Sequence, residues 1–153
     1  MKNVFFYDTE IGRIGIAENR IGITDVFFGE ADRLKNSVLK ETYILQQAVK
    51  QLKEYLSCKR RDFKLPLYLE GTDFQKSVWA ALRDIPYGET RSYKQIAEQI
   101  GNPKAYRAVG MANNKNPIAI IIPCHRVIGS NGKLIGYGGG IDLKERLLNL
   151  EKL

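Results

Sequence analysis

One stretch constrains the folding of this chain more than any other. It is the apolar run Pro117–Ile122, followed at once by Pro123-Cys124-His125-Arg126-Val127. A run of that composition belongs against a core. It carries with it one of the chain's two cysteines and its only histidine. A thiol is a poor nucleophile until it loses its proton, and a neighbouring imidazole and arginine both favour the thiolate. The bland alternative is that Cys124 is a small buried apolar residue. Adjacent Cys and His in a strand would even point to opposite faces.

Charge narrows the partner. The 153 residues carry a formal net charge of +7, and the excess is uneven. Residues 1–70 hold 12 Lys+Arg against 10 Asp+Glu, whereas residues 71–153 hold 12 against 7. An excess of positive charge attracts polyanions, which makes nucleic acid the leading partner and solubility the plain alternative. Cys58 and Cys124 do not make a disulfide framework, and one histidine without a CxxC pair argues against a zinc site. The first residues lack the pattern of a secretory signal, and no apolar run approaches the length of a membrane span. A free thiol in such a chain fits a reducing, cytoplasmic setting.

The N-terminal third reads as strands at Asn3–Tyr7, Gly12–Ala17 and Ile21–Phe28, an antiparallel meander. Val38, Leu45, Val49, Leu52 and Leu56 then recur at helical spacings, with Ser37 or Asn36 placed to cap the helix. Cys58-Lys59-Arg60-Arg61 closes it with cations, and Cys58 reads as a bystander. Phe63–Glu70 reads as an extended crossing segment, with a domain boundary near residue 70. The remainder is mostly helical. Thr72 with Gln75 and Ser92 with Gln95 have capping-box spacing, and so does Asp142 with Glu145 at the final helix. Pro103 suits a first helical position.

Two short helices joined through Gly101 have the outline of a helix-turn-helix, with five positive charges and one negative between Arg91 and Lys115. Many ordinary helix pairs share that spacing. The glycine-rich stretch Gly129–Gly140 lacks the spacing of a phosphate-binding loop; it is a close-approach segment or simply a hairpin.

Taken in order, these residues resemble a known family. Pro123-Cys124-His125-Arg126 resembles the signature of the O6-alkylguanine-DNA alkyltransferases, the methylated-DNA–protein-cysteine methyltransferases. The likeness runs through Phe74-Gln75-Lys76-Ser77-Val78-Trp79, Ile85-Pro86-Tyr87-Gly88-Glu89-Thr90, Ser92-Tyr93 and Gly101-Asn102-Pro103-Lys104-Ala105. It continues over Arg107-Ala108-Val109-Gly110, Asn116-Pro117, Gly136-Tyr137 and Gly139-Gly140. The N-terminal third matches the family's variable domain only in outline. The resemblance implies an α+β fold in two domains. Residues 1–69 would form a small α/β support domain of ribonuclease-H-like outline. Residues 70–153 would form a mostly helical, winged helix-turn-helix-like domain that binds DNA and transfers the alkyl group.

The resemblance also implies roles. Cys124 would accept an alkyl group from the exocyclic oxygen of a flipped-out guanine, irreversibly and once per molecule, with O4-alkylthymine left open as a substrate. His125 would take the thiol proton through a water. Glu145 would orient His125. Tyr93 would crowd the target phosphate and donate a proton to guanine N3. Arg107 would fill the vacated stack, and Lys104, Ser92 and Ala105 would meet the DNA. Asn116 would brace the active-site turn. The carbonyls of Val127 and Cys124 would meet the guanine amine. Tyr137 would line the substrate site, and the Gly138 N–H would meet the alkylated oxygen. Some relatives bind structural zinc and one branch lacks the cysteine; this chain has no such zinc ligands and keeps Cys124. The expectation is therefore a monomer acting on double-stranded DNA, with no cofactor, no metal and no membrane. Two other classes stay open: a passive lesion binder or helix-turn-helix regulator with an inert Cys124, and a cysteine hydrolase built on Cys124 and His125.

Overall fold

A computed structural model describes residues 1–29, 34–134, 137 and 139–152. The chain divides into two compact units, Met1–Leu69 and Glu70–Leu153. In the first, β1 (Asn3–Thr9), β2 (Gly12–Glu18), β3 (Ile23–Phe28) and the short β4 (Val38–Leu39) form one sheet in the order β3-β2-β1-β4. β1–β2 and β2–β3 pair antiparallel, the meander the sequence predicts, and β4 adds itself parallel to β1. Gly15 has a packing reason. A Cβ there would collide with the ring of Phe27, so the bare backbone lets that ring lie across β2.

Helix α1 (Tyr43–Leu56) buries Leu45, Ala48, Leu52, Tyr55 and Leu56, the spacing of one helical face. It begins later than its periodicity suggests. Thr42 is the cap, its hydroxyl accepting from the Leu45 N–H, and neither Ser37 nor Asn36 takes that role. Val38 belongs to β4 instead, donating its N–H to the Lys2 carbonyl while Lys40 donates to Val4. A β-branched residue beside an unpaired sheet edge finds hydrogen bonds there that a helix start would leave unmade. The segment around Pro66 is extended, as expected. Ile23 donates to the Pro66 carbonyl and Tyr68 donates to Ile23. Pro66 offers only a carbonyl, so a proline is tolerated at that edge.

The second unit contains α2 (Asp73–Arg83), β5 (Arg91–Ser92), α3 (Tyr93–Gln99), α4 (Tyr106–Asn114), a single 3₁₀ turn (Cys124–Arg126), β6 (Val127–Ile128) and α5 (Ile141–Leu150). Both capping boxes at Thr72/Gln75 and Ser92/Gln95 are formed in full. The core gathers Val78, Trp79 and Leu82 of α2, Ile96 of α3, Val109 of α4 and Leu147 of α5 around Ile118, Ile120 and Ile122. Trp79 locks α2 to α4 by donating its indole N–H to the Ala112 carbonyl at 2.9 Å. β5 and β6 pair in parallel, Arg91 opposite Val127 and Ser92 opposite Ile128. That pairing joins the start of α3 to the exit from the Cys124 turn.

Two helix starts differ from expectation. α4 starts at Tyr106 with Ala105 as its cap residue, and Pro103 lies in the preceding turn. α5 starts at Ile141 after Gly140, with no side-chain cap. The Asp142–Glu145 capping box does not form, because Asp142 is already inside the first turn.

Candidate active site

The apolar run does go inward, but as tight turns rather than a strand. Ile121 donates to Ala119, Ile122 to Ile118, and Cys124 to Ile122 at 2.7 Å. Ile120 sits at φ +70°, a left-handed conformation that costs a β-branched residue roughly 1–3 kcal/mol. Burial offsets it. Ile118, Ile120 and Ile122 are each at most 1% exposed, worth about 1.5–3 kcal/mol apiece. The winding delivers Pro123 and then the 3₁₀ turn, in which successive side chains are about a third of a turn apart. Cys124 and His125 are therefore both buried, at 5% and 0% exposure, where a strand would have sent one of them outward.

Asn116 ties this turn down, donating from Nδ2 to the Ile122 carbonyl at 2.8 Å and accepting from the Ile118 N–H at 3.0 Å. Its side chain also favours the ionised form of Cys124. Asn113, buried on α4, reaches the Cys124 carbonyl at 3.4 Å.

Glu145 is not the partner of His125. Glu145 is exposed on α5, and the carboxylate at the imidazole is Glu151, whose Oε2 lies 2.7 Å from His125 Nε2. The reason is helical geometry. Leu147 points into the core, and residues three before it and four after it share its face. That face carries Lys144 and Glu151, whereas Glu145 falls off it. The signal was present in the sequence: two charged residues on the apolar stripe of a helix, Lys144, Leu147 and Glu151. Both are buried, Lys144 completely.

Arg126 does not serve the thiol either. Its guanidinium grips Glu151 in a two-pronged pair and donates to the Ile85 carbonyl. The cation that favours Cys124 ionisation is Lys144. Even so, burial dominates and pushes the Cys124 thiol up to about 11, with the Asn116 hydrogen bond, the Lys144 charge and backbone N–H groups pulling the other way. Burial lowers His125 first, with Glu151 pulling up and Arg126 and Lys144 pushing down further. The resting pair is thus a neutral thiol beside a neutral imidazole, and the proton has to move during the reaction.

Tyr93 opens α3, half-buried, its ring against Gly110 of α4. Burial raises its hydroxyl, and the charge that Cys124 takes on ionising raises it further. A phenol held in its protonated form this way is a hydrogen-bond donor. Ser92 caps α3, and Ala105 precedes α4. Lys104 and Arg107 are exposed, and Arg107 projects from the first turn of α4. Val127 is fully buried in β6, directly after the 3₁₀ turn. Tyr137 is half-buried, and Gly138 lies outside the described residues. Cys58 is free and exposed in the other unit.

Comparison with known proteins identifies the family. A family model described as 6-O-methylguanine DNA methyltransferase, DNA binding domain, matches residues 73–153. A second, the ribonuclease-like domain of the same enzyme, matches residues 5–69. This chain belongs to the 6-O-methylguanine DNA methyltransferase family. A methylated-DNA–protein-cysteine methyltransferase of Methanosarcina barkeri is 53% identical, over 96% of this chain and 97% of its own length. The constitutive methylated-DNA–protein-cysteine methyltransferase of Bacillus subtilis is 46% identical, over 95% of this chain and 93% of its own. Among solved structures, Mycobacterium tuberculosis OGT in complex with DNA superposes with a TM-score of 0.93 at 49% identity, covering 98% of this chain and 92% of that one. Both units therefore have the α+β architecture of this methyltransferase family, with a helical DNA-binding domain in the C-terminal half.

Proposed function

We propose that this protein repairs DNA by taking an alkyl group from O6-alkylguanine onto Cys124, irreversibly and once per molecule. The observation that carries the reading is the pairing of a buried thiol with a buried imidazole on one turn, the imidazole in turn held by a buried carboxylate. The relatives' name, methylated-DNA–protein-cysteine methyltransferase, supports it.

A stacked base hides its O6 substituent from in-line attack, so the nucleotide must leave the duplex, at a cost of a few kcal/mol and less for a damaged pair. The exposed Arg107 on α4 fills the gap, and Lys104 meets backbone phosphate. Inside the site, His125 accepts the thiol proton, leaving a thiolate beside Lys144. The sulfur attacks the alkyl carbon; an S–C bond forms, the C–O bond breaks, and its electron pair passes to the guanine oxygen. Tyr93 supplies a proton to the purine, so guanine leaves neutral, and the proton that His125 took from the thiol returns through solvent to the Tyr93 oxygen. General acid assistance of this kind contributes roughly 10²–10⁴-fold. Val127 and Cys124 carbonyls meet the guanine amine, and Gly138 N–H meets the alkylated oxygen. A thioether is a stable carbon–sulfur bond, so each molecule is spent.

The direct test is mass spectrometry of the peptide containing Cys124 after incubation with a duplex carrying O6-methylguanine. One methyl per protein on Cys124 is expected. Tight binding with an unmodified Cys124 would favour a passive lesion binder, and product in excess of protein would favour a hydrolase. The Arg107→Ala variant should slow repair in duplex DNA at least tenfold while reacting normally with a free alkylated base; equal slowing on both removes its role in the stack. Affinity for duplex DNA should fall steeply with added salt, and a flat response would remove the phosphate contacts.

A further inference from the structure

Glu151 is shared. Its Oε2 accepts from His125 Nε2 at 2.7 Å and from Arg126 Nη2 at 3.0 Å. Its Oε1 accepts from Arg126 Nε at 2.8 Å and from the Gly88 N–H at 3.2 Å. Arg126 is itself fixed, donating from Nη1 to the Ile85 carbonyl at 2.8 Å and lying 5.7 Å from the centre of the Tyr87 ring. The carboxylate is about 1% exposed and the guanidinium about 9%. Gly88 is at φ +81°, and a Cβ there would press on the Glu151 carbonyl, so the turn is shaped to bring its N–H to this carboxylate.

Burial favours a neutral imidazole, and a carboxylate hydrogen-bonded to it pulls the other way, toward imidazolium. An imidazolium could orient a substrate but could not accept the proton of a thiol. Arg126 changes that balance, because a guanidinium is always charged and its fork matches the carboxylate edge to edge. Arg126 and Glu151 together are neutral. The groups whose charge reaches His125 are Glu151 and Lys144 from α5 and its end, and Arg126 from its own turn. The turn at Gly88 contributes only a backbone donor.

We infer that Arg126 is a positioning residue that occupies half of Glu151 and so keeps His125 a neutral proton acceptor at physiological pH. The inference rests on the reading of His125 as the base. A role in holding the fold together, through Ile85 and Tyr87, would by itself leave the imidazole's protonation unchanged.

His125 is the only histidine in the chain, so ¹⁵N-histidine NMR of the full-length protein reports it without overlap. In the native protein the imidazole should remain neutral through pH 7. In Arg126→Gln its pKa should rise by about one pH unit or more, and the acid limb of the pH–rate profile for methyl transfer should move to higher pH with it. Arg126→Lys retains the charge and should restore the low pKa while recovering only part of the rate, because an ammonium cannot reproduce the fork. An unchanged His125 titration in folded Arg126→Gln overturns the inference. If that variant does not fold, the native protein decides: an imidazolium at pH 7 overturns it equally. A neutral His125 in a protein that never methylates Cys124 would instead defeat the proposed function and leave the role of Arg126 standing.

Discussion

Cys124→Ala should abolish methyl transfer outright, with no methylated peptide after prolonged incubation, and should leave DNA binding within about twofold of the native protein. Cys124 is buried and takes part in no disulfide. Its removal deletes one sulfur from a site whose turn is held by Asn116 and by Ile118, Ile120 and Ile122. The exposed Arg107 and Lys104, which meet the DNA in the proposed mechanism, are separate side chains on and before α4. The expected loss is total because no other group in the site can hold a carbon as a stable thioether. Gel-shift titration alongside mass spectrometry checks both halves. Residual transfer in the variant would mean a different acceptor. Loss of binding with intact circular dichroism would mean that the thiol and the DNA surface are coupled in a way the geometry does not contain.

Glu151→Ala should be the most damaging change that leaves the nucleophile in place. It removes the shared acceptor of His125, Arg126 and Gly88, leaving a buried guanidinium without its anion at a cost of about 3–5 kcal/mol. Denaturant unfolding measures that directly. Glu151→Gln keeps the shape and an acceptor and should retain more stability. It should still slow methyl transfer by about 10²-fold or more, since an amide cannot stabilise the imidazolium formed when the thiol proton moves. Glu145→Ala is the matched control. Glu145 is exposed, and its loss should change stability by no more than about 0.5 kcal/mol and transfer not at all. A large effect at Glu145 with none at Glu151 would reverse the assignment of the carboxylate.

The burial of Cys124 has a functional consequence. A thiol raised to about 11 by burial is shielded from oxidants and stray electrophiles while it waits, because the thiolate is the reactive form. For a protein used once per event, that resting inertness preserves its single acceptor. The cost is that ionisation must be coupled to substrate arrival. The neutral His125 beside it and the completely buried Lys144 together make that coupling possible.

Much of the molecule was legible from residue types and spacing. The meander of β1, β2 and β3, the capping boxes at Thr72 and Ser92, the pairing of α3 with α4, and the burial of the run before Cys124 all follow from local rules of pattern and cap chemistry. The start of α1 was misread because Val38 fits a helical stripe as well as a strand, and only the free edge of β1 decides between them. The carboxylate was also misread. The resemblance pointed to Glu145, whereas the buried face of Lys144, Leu147 and Glu151 brings the other glutamate to the imidazole.

The sequence by itself determined which residue types were present to do chemistry, one thiol beside one imidazole in a basic, helix-rich half, because composition and short-range spacing are properties of the chain alone. Only the tertiary structure decided who partners whom. Glu151 rather than Glu145 meets His125, Lys144 rather than Arg126 supplies the charge that favours the thiolate, and burial pushes the thiol up. These outcomes depend on how far each charge is withdrawn from water and which opposite charge the fold brings within a few ångströms, and the Coulomb and desolvation energies that follow are set by distances in space rather than along the chain.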